Sequence, residues 1–447
     1  MSETIHIYHT NDIHSHFQYW PAIKNFLKER KRWHEEEGDV CLILDVGDHI
    51  DRFHPFTEGT TGKGNIEMLN EACYDAVTIG NNEGITLSKA ELNDLYRQAD
   101  FDVVVANLLN PDGTPPEWAV PSIIKETPEG TKIGIVGATA EFTPFYKKLG
   151  WTIIDAKESI IQAAKEIREQ VDLLVCLSHL GVKEDEYLAE LCPDLDIILG
   201  AHTHHIFHKG KWIGDTLLGA AGKAGNYVGH IIVETDPHKM SAYLIDTSSL
   251  LNPDPLYDER LAAIGKTQMS ETEFFNEQLM TADWFKGTRM AELFGEALIE
   301  FSNADCAMFN AGIFMGDLPQ GKTTRYDFHR VLPHPINPCM IDLTGAELKE
   351  IYLQSLNPEW PQLELKGLGF RGAVFGKIMH SNMDMENHRL FINGEPALPH
   401  KNYRLITLDM FTFGYFFPSL KRANKTYFMP EFIRDVFRLY FRTKAIK

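Results

Sequence analysis

Five loops in the first half of the chain carry the residues best suited to chemistry, and each follows a short apolar run. Ile5–Tyr8 leads into His9-Thr10-Asn11-Asp12-Ile13-His14, and Val40–Val46 leads into Gly47-Asp48-His49-Ile50-Asp51. Ala76–Ile79 runs into Gly80-Asn81-Asn82-Glu83, and Leu173–Leu177 into Ser178-His179-Leu180-Gly181. Ile197–Leu199 runs into Gly200-Ala201-His202-Thr203-His204. One such loop means little, since Asp12 could cap a helix and His14 could lie on its surface. Together they carry weight, because open α/β sheets bind ligands outside the carboxyl ends of their strands.

The donors suit divalent metals. Asp12, His14, Asp48, Asn81, His179, His202 and His204 would give two ions about four protein ligands each if one carboxylate bridged them. Imidazole and oxygen without thiolate fit Zn²⁺, Mn²⁺ or Fe better than Ca²⁺ or Mg²⁺ alone. Two dications outweigh two carboxylates, so such a pocket would be locally positive and suited to a phosphate ester.

The elements that would position these loops follow from the pattern. Apolar runs alternate with helix-length segments at Pro21–Glu37, Lys89–Gln98 and Lys157–Gln170, which predicts an α/β domain. The stretch Leu251-Asn252-Pro253-Asp254-Pro255 breaks that alternation. We expect a first domain over 1–250, a linker carrying a helix over 251–287, and a second domain over 288–447. In the last, Met290–Phe301 and Gly345–Ser355 read as helices, and Phe370–Ile378 and Tyr403–Leu408 as strands. The tail aromatics Tyr427, Phe428, Phe432, Phe437, Tyr440 and Phe441 read as a terminal helix packed on that domain. The charged run Lys28–Glu37 reads as a solvated helix face. Gly59-Thr60-Thr61-Gly62-Lys63-Gly64 lacks the phosphate-loop spacing and reads as a mobile surface loop.

Composition excludes several classes. The 447 residues are 44% hydrophobic and 24% charged, ordinary for a globular protein. With 43 basic and 63 acidic side chains the net charge is −20, so nucleic-acid coating is not expected. No apolar run is long enough to span a membrane, and the start has neither basic flank nor apolar core. The six cysteines, at 41, 73, 176, 192, 306 and 339, show no paired spacing. They read as buried hydrophobes in a reducing compartment, so the expected location is cytoplasmic.

The five loops resemble, in order and approximate spacing, the motifs of the calcineurin-like metallophosphatases, and within them the 5′-nucleotidase group. The second half is similar to that group's C-terminal domain. Asp305-Cys306-Ala307-Met308-Phe309-Asn310-Ala311-Gly312 resembles its asparagine-glycine motif, and Leu332-Pro333-His334-Pro335-Ile336-Asn337 and Leu343-Thr344-Gly345-Ala346-Glu347-Leu348 continue the register. The resemblance implies a four-layer α/β/β/α sandwich with a second, mixed α+β domain. It implies that Asp12, His14 and His204 hold one divalent ion, that Asn81, His179 and His202 hold the other, and that Asp48 bridges them. A metal-activated hydroxide would then attack phosphorus in line. Glu83 and Asp51 would support the ligands from behind.

Two positions depart from the family pattern. The histidine that usually follows the metal-binding asparagine is Asn82 here, and an amide cannot act as an acid near neutral pH. His16 and His49 are nearby candidates to compensate. In the second half the nucleotide-reading arginine is missing after Asn310-Ala311-Gly312, and Phe411-Thr412-Phe413-Gly414-Tyr415 replaces a Gly-Gly-Asp-Gly segment. Asn310, Phe370 and Phe411 remain as candidate substrate contacts, the two phenylalanines as a base-stacking pair or as core aromatics. Arg371 is a candidate phosphate contact.

The expected activity is hydrolysis of small phosphate monoesters, nucleoside 5′-monophosphates first, with Asp48 and Asn82 at the reacting centre. The alternatives are a cyclic phosphodiester, nucleotide-sugar or dinucleotide pyrophosphate substrate, or a weakly active or non-catalytic protein that binds metal and ligand.

Overall fold

The computed structural model describes residues 3–235, 238–251 and 254–445. Asn252 and Pro253, in the expected break, lie outside the described residues. The chain divides into two units, Met1–Gly265 and Lys266–Lys447. Helix Tyr257–Gln268 crosses that division, and strand Thr272–Asn276 follows it.

The first unit contains two six-stranded sheets. One runs His238–Asp246, Tyr227–Thr235, Thr4–Thr10, Val40–Asp45, Ala76–Val77, Asp102–Val103. The other runs Lys211–Ile213, Thr216–Gly219, Ile197–Gly200, Leu173–His179, Lys132–Thr139, Ser122–Glu126. Alternation explains how they pack: Ile5 and Ile7 turn to one face of their strand while His6 and Tyr8 turn to the other. Ile5, Ile7, Leu42, Leu44, Ile135, Val175 and Leu199 share one buried core between the sheets. Helices cover the outer faces. Trp20–Glu37, with Pro21 in its first turn and Gly38 ending it at φ +84°, lies on the first sheet. Ala156–Ile167 packs Ile160, Ala163 and Ala164 on the second. These layers are the expected four-layer sandwich.

Two readings of surface segments need correction. His34, inside the charged run, is 1% exposed and faces the sheet. The glycine-rich segment is a helix–turn–helix, Pro55–Thr60 and Lys63–Glu71, not a mobile loop. Its order comes from packing: Arg52 donates to Glu58 across a buried 2.8 Å ion pair, and a Cβ on Gly64 would meet the Phe56 ring at 2.2 Å.

The second unit has a five-stranded sheet in the order Ile378–Ser381, Cys306–Asn310, Asn402–Leu408, Pro338–Thr344, Lys425–Tyr427. Helices Arg289–Ser302 and Gly345–Ser355 start where Thr288 and Thr344 accept backbone N–H groups of Ala291 and Glu347. The terminal helix Ile433–Ala445 buries Phe437 and Phe441 against Phe294 and Phe328. The strand read at Phe370–Ile378 begins only at Ile378, after Gly376, whose φ of +74° breaks the extended run.

Asp409, where strand Asn402–Leu408 ends, is buried and accepts the N–H of Asn337 at 3.0 Å. Burial pushes its carboxyl up to about 7, against the pull of the Asn337 and Met410 N–H groups. The fold therefore holds this proton more tightly than the unfolded chain does. That stabilisation is complete below about pH 4 and is lost as pH rises through 7. Asp409→Asn keeps an acceptor without the charge. Its unfolding free energy should match the parent's at pH 4 and exceed it at pH 8, by up to about 4 kcal/mol. A difference that does not change with pH would contradict the buried-proton account.

Candidate metal centre

The five loops leave the carboxyl ends of five strands, three in the first sheet and two in the second. Thr4–Thr10, Val40–Asp45 and Ala76–Val77 run parallel, as do Leu173–His179 and Ile197–Gly200. Their ends bring the seven expected donors into one connected group. His14 Nε2 and His204 Nε2 are 3.1 Å apart, and Asp12 Oδ1 lies 3.6 Å and 3.5 Å from them. Three ligands on one face of a tetrahedron with bonds of about 2 Å are about 3.3 Å apart, so the triangle has the size of a metal's ligand face. Asp48 Oδ2 lies 3.7 Å from His14 Nε2 and 3.4 Å from His179 Nε2. Asp12, Asp48 and His179 also each offer an atom within 4.8 Å of the others. His202 Nδ1 contacts Asn81 Oδ1 at 2.9 Å, and its ring lies 5.4 Å from that of His179.

Strained backbone aims these side chains. Asp12, His14, Asp48, His202 and His204 all have φ between 50° and 70°. That left-handed conformation costs on the order of 1 kcal/mol or more per residue and persists where its surroundings impose it. Gly47 makes it possible before Asp48: its φ is +84°, and a Cβ would fall 2.3 Å from Gly80 N. The loops then lock together, with Asp12 N donating to Gly47 O and His14 N to Asp48 O.

The electrostatics favour cations. Burial alone would raise Asp12, yet hydrogen bonds from His14 and His204 and the charge of His179 hold it below the usual carboxylate range. Asp48 is lowered likewise by His179 and His14, against burial. The imidazoles answer in kind. Burial opposes charge on His14 and His179, but their carboxylate neighbours lift them to about 10 and about 9. His179 Nε2 has no hydrogen-bond partner, and its Nδ1 is fixed by Val46 O at 2.7 Å. Two buried carboxylates thus demand positive charge, and the nitrogens around them point the right way to yield it to a divalent ion. The residues fit a metal centre.

Asn82 sits inside this network. Its backbone N–H donates to Asp48 Oδ1 at 2.7 Å, and its Nδ2 lies 2.8 Å from His14 Nδ1. Asp51 approaches the same His14 nitrogen at 3.5 Å. Glu83 accepts from the backbone of Asp48, Ile50 and Gly80, and burial together with Asp48 raises it to about 7. His49 is 3% exposed, packs edge-on to Trp20 and is kept neutral by burial at about 3, so it is a core histidine. His16 packs beside Phe53. Two supports were not singled out from sequence. Asn11 donates to Asp12 Oδ2 at 2.8 Å, and Asp45 accepts from Gly47 N at 2.9 Å. Their only signal was adjacency to Asp12 and Gly47.

The candidate substrate contacts belong to the second unit's core. Asn310 is fully buried and donates to Phe375 O at 2.7 Å. Phe370 is 2% exposed and stacks on His334 at 5.1 Å, while Phe411 is fully buried among Phe375, Phe416 and Phe417. Of the two readings of these phenylalanines, the packing favours core aromatics, because neighbouring aromatic side chains cover their faces. Arg371 donates to Phe370 O.

Gly80 is the tightest point of the centre. Its φ of −94° suits any residue, but a Cβ there would lie 2.0 Å from Asp48 Oδ1. Gly80→Ala should push Asp48 aside and lower kcat/KM by about 10²-fold, the scale of an ångström's misplacement. Metal content and phosphate release measured together check this; full activity would show that Asp48 has room to move.

Residues 5–205 match the family model for calcineurin-like phosphoesterases, and residues 263–415 match that for the 5′-nucleotidase C-terminal domain. The chain is 40% identical to the uncharacterized metallophosphoesterase YunD of Bacillus subtilis, over 98% of both chains. Among solved structures it resembles a putative 5′-nucleotidase from Staphylococcus aureus, with TM-score 0.69, 17% identity and coverage of 99% and 98% of the two chains. It also resembles the NAD nucleotidase of Haemophilus influenzae, with TM-score 0.65, 15% identity and coverage of 99% and 97%. At those identities the likeness is one of fold. The chain belongs to the calcineurin-like metallophosphoesterases, in the group that carries a 5′-nucleotidase C-terminal domain. Membership makes it a metal-dependent phosphoester hydrolase. Among the described residues no helix is long and apolar enough to cross a membrane.

Proposed function

We propose that the chain hydrolyses phosphate monoesters, nucleoside 5′-monophosphates first, at a centre for two divalent ions. Asp12, His14 and His204 would hold one, Asn81, His179 and His202 the other, and Asp48 both. The convergence of Asp12, Asp48 and His179 within 4.8 Å carries this reading, since one carboxylate then stands between two donor sets. Bound there, the ions would acidify water and neutralise charge on the phosphoryl oxygens. The chain's own part is to orient. Val46 O fixes the His179 tautomer, Asn11 and the His202 N–H hold Asp12, and Asn82 N holds Asp48. These bonds keep each donor in one rotamer before substrate arrives.

Asn82 favours a second reading of the substrate. With an amide at that position no proton is delivered to the leaving oxygen, so esters whose leaving group departs unprotonated gain an advantage. A nucleotide-sugar or dinucleotide pyrophosphate, which releases a phosphate, meets that condition better than a sugar alkoxide. The substrates are small molecules on either reading, and the free, mostly buried cysteines support a cytoplasmic location.

Product analysis over a panel with Mn²⁺ or Zn²⁺ tests both: inorganic phosphate and nucleoside from nucleoside monophosphates, and nucleoside monophosphate from nucleotide-sugars and dinucleotides, where the cleaved pyrophosphate yields two monoesters. Release from monophosphates supports the first. Turnover of pyrophosphates alone supports the second. No turnover under any metal condition leaves a binding protein and rejects both.

A further inference from the structure

A second group of ligand-type side chains lies where helix Trp20–Glu37 packs on the first sheet. His6 faces this layer by alternation with Ile5 and Ile7. His230 comes from the neighbouring antiparallel strand, where it pairs with Tyr8, and His34 comes from the helix. Aliphatic side chains usually fill such a layer. Here the His6 and His34 rings stack at 3.7 Å, and one nitrogen from each of the three imidazoles lies within 4.8 Å of the others.

The polar atoms are only partly satisfied. His6 Nδ1 meets His230 Nε2 at 2.9 Å, and His34 Nε2 meets the Tyr8 hydroxyl at 3.0 Å. His34 Nδ1 has no hydrogen-bond partner, although the residue is 1% exposed. Asp39 Oδ2 lies 3.9 Å from that nitrogen and 3.5 Å from His6 Nε2. Those separations are near the ~3.3 Å between neighbouring ligands of a tetrahedral ion. His6 and His34 thus each have one nitrogen held by a neighbour and the other within 3.9 Å of Asp39, and a partner on the second ring nitrogen is what orients metal-binding histidines. A cavity of about 400 Å³ opens beside them, with Phe26 and Trp33 in its wall. Burial keeps His34 and His230 neutral, at about 4 and about 3, in the form that metals bind. Arg30 opposes a cation here, but its guanidinium rests on the Phe26 and Trp33 rings, and the Asp39 carboxylate offsets it.

We propose that His6, His34 and Asp39, with His230 holding His6, form a separate site for a divalent transition-metal ion such as Zn²⁺. Two imidazoles and one carboxylate without thiolate suit that class of ion. An ion there would tie helix to sheet, and by binding only the folded chain would stabilise it.

The test uses the full chain with Asp12→Asn and Asp48→Asn, which strips both carboxylates from the other centre, and reads the zinc lost on further substitution at the proposed site, so the result is independent of the proposed function. Stripped with chelator, titrated with Zn²⁺ and desalted, this variant should retain about one zinc per chain and melt at a higher temperature with zinc than without. Adding His34→Gln, which keeps an amide for Tyr8, should abolish both. Asp39→Asn alters a part-exposed group and should weaken retention at least tenfold without disturbing the fold. Loss of retention in Asp39→Asn, with an unchanged circular dichroism spectrum, supports the site even if His34→Gln fails to fold. Zinc absent from the parent double variant, or retained equally in the Asp39→Asn variant, overturns it.

Discussion

Asp48→Asn should remove both ions of the proposed metal centre and lower kcat/KM by about 10²–10³-fold, the cost of losing one electrostatic group at a reacting centre. The substitution is close to isosteric. Its φ of 54° suits asparagine as well as aspartate, so the backbone has no reason to move. An amide oxygen can still accept the Asn82 N–H now held by Asp48 Oδ1. What changes is the atom facing His14 and His179, which becomes a donor and loses its charge. His204→Ala provides the contrast. Its ring touches His14 and Asp12 and should cost one ion only. Metal analysis of both variants, purified without chelator, separates the cases. Loss of a single ion from Asp48→Asn would contradict the bridging role.

Asn82→His should raise kcat toward monophosphates by about 10²-fold, the lower end of what a placed general acid contributes. The new imidazole would stand beside His14, where Asn82 Nδ2 now lies 2.8 Å from Nδ1. The gain should fall on kcat rather than KM, and a second limb should appear in the pH–rate profile. It should be largest for nucleoside monophosphates and small for pyrophosphates, whose leaving groups need no proton. Metal content should stay as in the parent. An unchanged kcat with both ions present would show that another group already delivers the proton.

The donors were legible in sequence because of where they lie. Parallel strands joined by helices place their carboxyl ends on one edge, so a polar residue after an apolar run is already assigned to that edge. Asp12, Asp48 and His179 each follow such a run. The alternation of Ile5 and Ile7 with His6 and Tyr8 likewise signals a strand with two differently used faces. The supports were less legible. Asn11 acts on Asp12, whose left-handed φ of 51° no composition rule marks in advance, and Asp45 acts on the turn at Gly47, where the glycine gives no hint of which carboxylate will accept its N–H. His34 hid in a run of charge, since nothing in Lys28–Glu37 tells which position meets the sheet. Phe370 and Phe411 were ambiguous for the opposite reason. Aromatic residues carry no sign of whether a neighbour covers them, and here His334 and a phenylalanine cluster do.

The central claim is that one carboxylate joins two cations. Crystals grown with Mn²⁺ and measured for anomalous scattering test it most directly. We predict two peaks about 3.5–4 Å apart, both within bonding distance of Asp48. A single peak, or two peaks of which only one touches Asp48, would contradict it.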